Sequence, residues 1–136
     1  MIYLDTSAAV KLIRREPESR SLTEWINASD KGLVSSALLE IELVRAARRF
    51  GESTFVGSAF ALLDRVACHE IDNDVRRAAA AFTDPLLRSL DAIHLATARD
   101  AFDGVVTDFC CYDRRLADAA RDVGLSVAAP RDNLSR

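Results

Sequence analysis

An alternation constrains this chain more than any other feature. Short strand-like runs recur along it, each followed by a stretch of helical length with apolar residues three and four apart. The runs are Ile2-Tyr3-Leu4 ending on Asp5, Leu33 to Ser36, His69-Glu70-Ile71, Gly104 to Thr107, and Leu125-Ser126-Val127. Helices are expected over 6–15, 18–29, 37–50, 53–68, 72–82, 90–102 and 113–123. Thr6 or Ser7, Asp72 or Asn73, Ser89 and Asp113 stand where side chains cap helix starts, and Gly51 stands in the favoured position after a helix end. Strands this short and apolar read as covered on both faces. The pattern therefore predicts an α/β fold, a parallel sheet of about five short strands flanked by helices. A length of 136 residues suits one domain over residues 1–136 with a single core.

Composition narrows the classes. Hydrophobic residues make up 49% and charged residues 29%, as in ordinary globular proteins. No apolar run approaches the roughly 20 residues that cross a bilayer, and the N-terminus lacks the basic and apolar regions of a secretory signal. Cys68, Cys110 and Cys111 suit no disulfide framework, which predicts a reduced, cytoplasmic location without a membrane partner. The formal net charge of −3 does not advertise a nucleic-acid binder. Yet Lys11 and Lys31 are the lysines, and arginine supplies every other cation, in clusters such as Arg45-Arg48-Arg49 and Arg114-Arg115. Arginine suits bidentate phosphate contact, although a solvated helix face explains any one cluster as well.

The acids carry the chemical signal. Ligands of open parallel sheets sit beyond the carboxyl ends of the strands. Asp5 ends the first strand, Asp108 follows the expected fourth, and Asp113 starts the next helix. Asp91 sits in the most apolar helical stretch, where an ionised carboxylate costs several kcal/mol unless partnered. Glu40 or Glu42 completes the set. Plain alternatives exist for each: Asp5 and Asp113 as helix caps, the glutamates as solvated, Asp91 as a complement to the helix dipole. His94, three residues beyond Asp91, could ligate a metal, but a packed or hydrogen-bonded histidine is the commoner role. Cys110 and Cys111 have no matching ligand set and read as structural. Clustered carboxylates repel, which raises pKa values or demands a cation. Hard oxygen donors favour Mg²⁺ or Mn²⁺, with phosphodiester cleavage as the matching chemistry. Other metal-acid folds fit less well. Ser7 stands where a haloacid-dehalogenase-type phosphatase has its second Asp, no lysine follows Lys31 as a response-regulator receiver requires, and Asp5-Thr6-Ser7-Ala8-Ala9-Val10 lacks the glycines of a dinucleotide turn.

The segments IYLDTSAAVKL, SSALLEIELVRAARR, LRSLDAIHLATA and VVT…YDRRLADAARDVGL together resemble the PIN-domain ribonucleases, and most of all the VapC toxins of bacterial VapBC toxin–antitoxin modules. The resemblance runs in order through nearly the whole chain. It implies a PIN-like three-layer sandwich and a toxic Mg²⁺- or Mn²⁺-dependent endoribonuclease acting on structured RNA such as tRNA or rRNA. By motif, Asp5, Glu42, Asp91 and Asp113 match the family's acids as catalytic residues and metal ligands, with Asp108 in reserve for the fourth. Thr6 and Ser7 match the polar pair supporting the first acid. The family runs strand, Thr, one residue, Asp, whereas this chain shows four extra residues between Thr107 and Tyr112. The resemblance further implies a homodimer, a VapB-type antitoxin in a toxin–antitoxin hetero-oligomer, and promoter DNA bound only through that antitoxin. Apolar surface on 18–29 and 37–68 beyond what one small sheet covers is the expected docking area. From another class, a PIN-fold binding module with a degenerate nuclease site draws on the extra residues before Asp113. A DNA nuclease would need the same acids.

Overall fold

The structure, a computed structural model, describes residues 1–132; the last four residues of the expected 1–136 domain lie outside the described residues. The strands are β1 (Ile2–Leu4), β2 (Leu33–Ser36), β3 (Val66–His69), β4 (Asp108–Cys110) and β5 (Val127–Ala128). The helices are α1 (Thr6–Ile13), α2 (Ser19–Ala28), α3 (Leu38–Arg49), α4 (Ser53–Leu63), α5 (Asn73–Ala80), α6 (Ser89–Ala96) and α7 (Arg114–Asp122). A π-helical turn, Thr97–Ala101, prolongs α6.

The strands form one sheet in the order β3-β2-β1-β4-β5, with every neighbouring pair parallel. Side chains alternate across a strand, so three residues of β1 serve two cores. Ile2 and Leu4 pack with Ala8, Leu22, Leu39, Leu43 and Leu62 of α1 to α4. Tyr3 faces the other way, to Leu95, Phe109 and Leu116 of α6, β4 and α7, with its ring stacked on Phe109 at 5.2 Å. Each fully buried Leu or Phe contributes about 1.5–3 kcal/mol relative to exposure. The result is the expected α/β sandwich of helices, parallel sheet and helices.

The strand order sets the site. The chain leaves β1 toward β2 on one side and returns later to β4 on the other. That reversal between β1 and β4 opens a crevice at the carboxyl edge of the sheet.

Several expected boundaries move. The third strand is Val66–His69, not 69–71, because α4 stops at Leu63 and the chain turns at Asp64 and Arg65. The fifth is Val127–Ala128, two residues from a turn in which Gly124 adopts φ +89. The fourth is Asp108–Cys110 rather than 104–107. Gly104 and Val105 are instead exposed in the turn after Phe102, while Phe109 and Cys110 are fully buried. This shift has two consequences. Asp108 pairs in register with Ile2, at the amino edge of the sheet, remote from the end where β1 delivers Asp5. The residues expected to be extra, 108–111, are β4 and the one after it, so the stretch from strand end to acid, Cys111-Tyr112-Asp113, has the expected spacing of one residue before the acid, with Cys111 in the threonine's place.

Candidate active site

Asp5 follows β1 directly and is 3% exposed. It is itself the N-cap of α1, accepting the Ala8 N–H at 2.9 Å; Thr6 and Ser7, the expected caps, are the helix's first residues. Ser7 has a different task. Its Oγ donates to the Asp5 carboxyl at 2.7 Å and accepts the Tyr112 N–H at 2.9 Å, tying the turn after β4 to the first acid. The Cys111 thiol lies against the Asp5 carboxyl and 3.4 Å from the Asp113 carbonyl oxygen. Burial raises the Asp5 pKa, and the bonds from Cys111, Ser7 and Ala8 with the nearby His94 offset only part of it.

Asp91 occupies the first turn of α6, where the helix dipole favours an anion. It is half-buried, and burial raises its pKa first. The negative charge of Asp113 raises it next, with smaller contributions from Asp5 and Glu42 that His94 opposes. Asp91 thus feels all three of the other acids. Asp113 caps α7 by accepting the Leu116 N–H at 3.1 Å and is exposed, so the cap and a second role coexist.

Glu42 reaches the edge from the solvent-side flank of the α3 stripe. It accepts hydrogen bonds from Thr6 Oγ1 and from His94 Nε2, the latter at 2.8 Å. Burial alone would raise its pKa, but these two donors outweigh burial and hold it below the usual range. Its neighbour Glu40 is exposed and acts on Cys68 instead. His94 is 2% exposed, and its Nδ1 meets the Tyr3 hydroxyl at 2.7 Å.

Asp108, the reserve acid, stands apart. Lys31 Nζ donates to it at 3.0 Å and Thr107 Oγ1 at 2.8 Å. Burial pushes its pKa up, but the Lys31 ammonium and Thr107 prevail and lower it. It is a structural ion pair at the other edge.

A cleft of about 530 Å³ opens onto Asp91 and Asp113, with Arg88, Arg114 and Arg115 along its walls. Among the described residues, no group of three His, Cys, Asp or Glu side chains is arranged to hold a metal ion by itself. The donor set still fits a hard divalent ion. Mg²⁺ keeps several waters and takes only one or two carboxylates, the rest coming from substrate phosphates. Burial raises the pKa of Asp5, and burial with the charge of Asp113 raises that of Asp91; a bound cation would offset both.

Sequence reasoning missed the contributions of Cys111 and Tyr112. Their signal was the strand–x–x–Asp spacing, hidden while β4 was set four residues early. His94 is hydrogen-bonded rather than free, as the commoner role suggested.

Comparison with known proteins agrees with this frame. Residues 2–122 match the PIN domain. Ribonuclease VapC35 of Mycobacterium tuberculosis is 48% identical over 134 residues, covering 96% of this chain and 97% of that protein. Ribonuclease VapC46 of the same organism is 43% identical over 132 residues, covering 95% and 97%. Among solved structures, the Mycobacterium tuberculosis VapC20 toxin, described as cleaving the sarcin-ricin loop, aligns with a TM-score of 0.74 at 18% identity, covering 96% of this chain and 100% of that one. VapBC2 from Rickettsia felis, bound to a DNA fragment from its promoter, aligns at 0.73 and 13% identity, covering 96% and 99%. At these identities the two structures speak for the fold, and the family rests on the PIN match and the close relatives: this chain belongs to the PIN-domain family, among the VapC toxins.

Proposed function

We propose that this protein is a toxin acting as a Mg²⁺- or Mn²⁺-dependent endoribonuclease on structured RNA such as tRNA or rRNA. One observation carries the reading. The charges of Asp5, Glu42 and Asp113 all bear on Asp91 at the switch-point edge of a chain 48% identical to a ribonuclease. The sarcin-ricin loop named for VapC20 supports a structured rRNA as the kind of target. The degenerate binding module drew on four extra residues before Tyr112, but Asp108–Cys110 are β4 itself, and from its end Cys111-Tyr112-Asp113 runs at the spacing expected of the family.

In this reading Asp5 and Asp91 hold the ion, with Asp113 and Glu42 completing its surroundings. The ion, when bound, neutralises charge on the scissile phosphate and makes a nearby water more acidic. Arg88, Arg114 and Arg115 bind phosphates along the cleft and set the RNA's register. Glu42, ionised at neutral pH, orients the attacking water and accepts its proton. The water oxygen bonds to phosphorus as the bond to the ribose 3′ oxygen breaks, and the leaving oxygen takes up a proton. The products carry 5′-phosphate and 3′-hydroxyl ends.

A VapB-type antitoxin is the proposed partner, supported by the VapBC2 and FitAB complexes with DNA that share the fold. Ile41 and Phe60, 58% and 52% exposed on α3 and α4, fit apolar docking of that antitoxin or of a second protomer in a homodimer. Promoter DNA is then met through the antitoxin, in the cytoplasm. Among the described residues no helix is long and apolar enough to cross a membrane.

The test is incubation of purified protein with total RNA in Mg²⁺, in Mn²⁺ and in EDTA. Discrete cuts with either ion and none in EDTA are expected. Intact RNA under all three conditions, from folded protein, contradicts the proposal.

A further inference from the structure

A hydrogen-bonded chain, Tyr3–His94–Glu42 with Thr6, runs beside the acids, and the cleavage scheme leaves it unassigned. Tyr3 immediately precedes Leu4 and Asp5, and its hydroxyl meets His94 Nδ1 at 2.7 Å. His94 lies one helical turn beyond Asp91, and its Nε2 meets Glu42 Oε1 at 2.8 Å. Thr6, next to Asp5, donates to the same Glu42 oxygen. An ionised carboxylate only accepts, so the His94 Nε2–H donates to Glu42, while Nδ1 and the Tyr3 hydroxyl share the second hydrogen bond. Tyr3 is fully buried. The Tyr3 ring is packed among aromatic neighbours. Tyr3 and Phe102 stand edge-on to one another, Phe109 stacks on Tyr3, and His94 lies edge-on to Tyr3 at 5.8 Å.

The relay therefore joins β1, α1, α3 and α6 at the point where their acids converge. It occupies one oxygen of Glu42 and leaves the other for the site. We infer that His94, backed by Tyr3, is the positioning residue for Glu42, fixing which oxygen faces the substrate and the ion. This rests on the nuclease reading for its purpose but not for its geometry. An isolated core histidine would need only one satisfied nitrogen; here both are engaged, on partners 91 and 52 residues away in the chain.

A double-mutant cycle tests it. Wild type, His94→Leu, Glu42→Gln and the double variant are compared for Mn²⁺ affinity by calorimetry and for RNA cleavage. Removing a residue that orients a ligand costs about 10–100-fold in affinity or rate. His94→Leu should lose that much with KM for RNA little changed, and should lose almost nothing further when Glu42 is already Gln. His94→Gln, whose amide can donate to Glu42, should recover most of the loss, and Tyr3→Phe should fall between. Equal losses from His94→Leu with and without Glu42 would make the histidine merely structural and overturn the inference. Absence of Mn²⁺ binding by wild type would overturn it as well. If His94→Leu does not fold, the Tyr3→Phe and Glu42→Gln cycle decides by the same criterion. If wild type binds Mn²⁺ but cuts no RNA, the nuclease reading fails while the calorimetric cycle still decides the relay.

Discussion

The carboxylates of the site pull stability in opposite directions with pH. Asp5 and Asp91 have raised folded pKa values, so the folded state holds their protons more tightly than the unfolded chain, where Asp titrates near 3.9. Their ionisation costs stability as pH rises from that value through the folded pKa, and the cost is complete above it. Glu42 is the reverse. Its lowered pKa stabilises the fold above about 4.3, and that contribution fades as pH falls through the folded value. In metal-free buffer at pH 7, Asp91→Asn should therefore melt higher than wild type by about 2–6 °C, and Glu42→Gln lower. Thermal melts at several pH values check both signs, the Asp91 gain shrinking toward pH 4. Mg²⁺ should raise the wild-type melting temperature and not that of Asp91→Asn. Ser7→Ala is a second probe. It leaves the Tyr112 N–H without its acceptor and Asp5 without a donor, which should cost about 1–3 kcal/mol in a urea melt and reduce cleavage. The candidate acids were named from the sequence, Asp5 and Asp91 from their placement at a strand end and in an apolar helix, Glu42 and Asp113 only through the family resemblance. The groups that hold them were not. Ser7 bridging to a backbone N–H, Cys111 beside Asp5 and His94 between two partners depend on which turns meet at the sheet edge, and periodicity does not carry that.

Among the elements, helix starts do double duty. Asp5, Asp72 and Asp113 each cap a helix through a side-chain oxygen, and two of them also face the acidic edge. For α7 the two roles separate experimentally. Asp113→Ser keeps a good cap and should leave stability within a few tenths of a kcal/mol, whereas Asp113→Ala should cost about 1 kcal/mol. Both should impair cleavage equally if the charge matters there. A cleavage loss that tracks stability instead would reduce Asp113 to a cap. Alternation made the strand-helix order legible, and α2, α3 and α7 fall within a residue or so of their expected spans. The misplaced strands share a cause. β-branched residues promise a strand only where a pleated, half-buried surface exists to receive them. Val105 and Val106 satisfy the composition but sit in the turn after Phe102, while Asp108-Phe109-Cys110 spends its polar first residue on Lys31 at the open edge and buries the other two. β3, at the sheet margin, buries only Val66 fully, so no apolar run announces it.

For the molecule as a unit, a net charge of −3 has to be set against the proposed binding of RNA. Arg88, Arg114 and Arg115 line the cleft that opens onto Asp91 and Asp113, but Asp84, Asp118 and Asp122 line it too, so attraction of a polyanion there rests on these arginines together with a bound cation. If these arginines bind phosphates, Arg114→Ala with Arg115→Ala should weaken RNA binding. The slope of log affinity against log salt should also fall by about 0.7 for each phosphate that an arginine no longer neutralises. Filter binding across a salt series, with Asp91→Asn to prevent cutting, reads this; an unchanged slope would remove the arginines from the RNA path. The most direct question is whether the carboxylates at the β1/β4 crevice perform the cleavage. Wild type and Asp91→Asn, matched in folding by circular dichroism, should be set against one preparation of total RNA in Mn²⁺. Discrete cuts by wild type that fall at least about 100-fold in the variant are predicted. Equal cutting by the two proteins would contradict the assignment of the site.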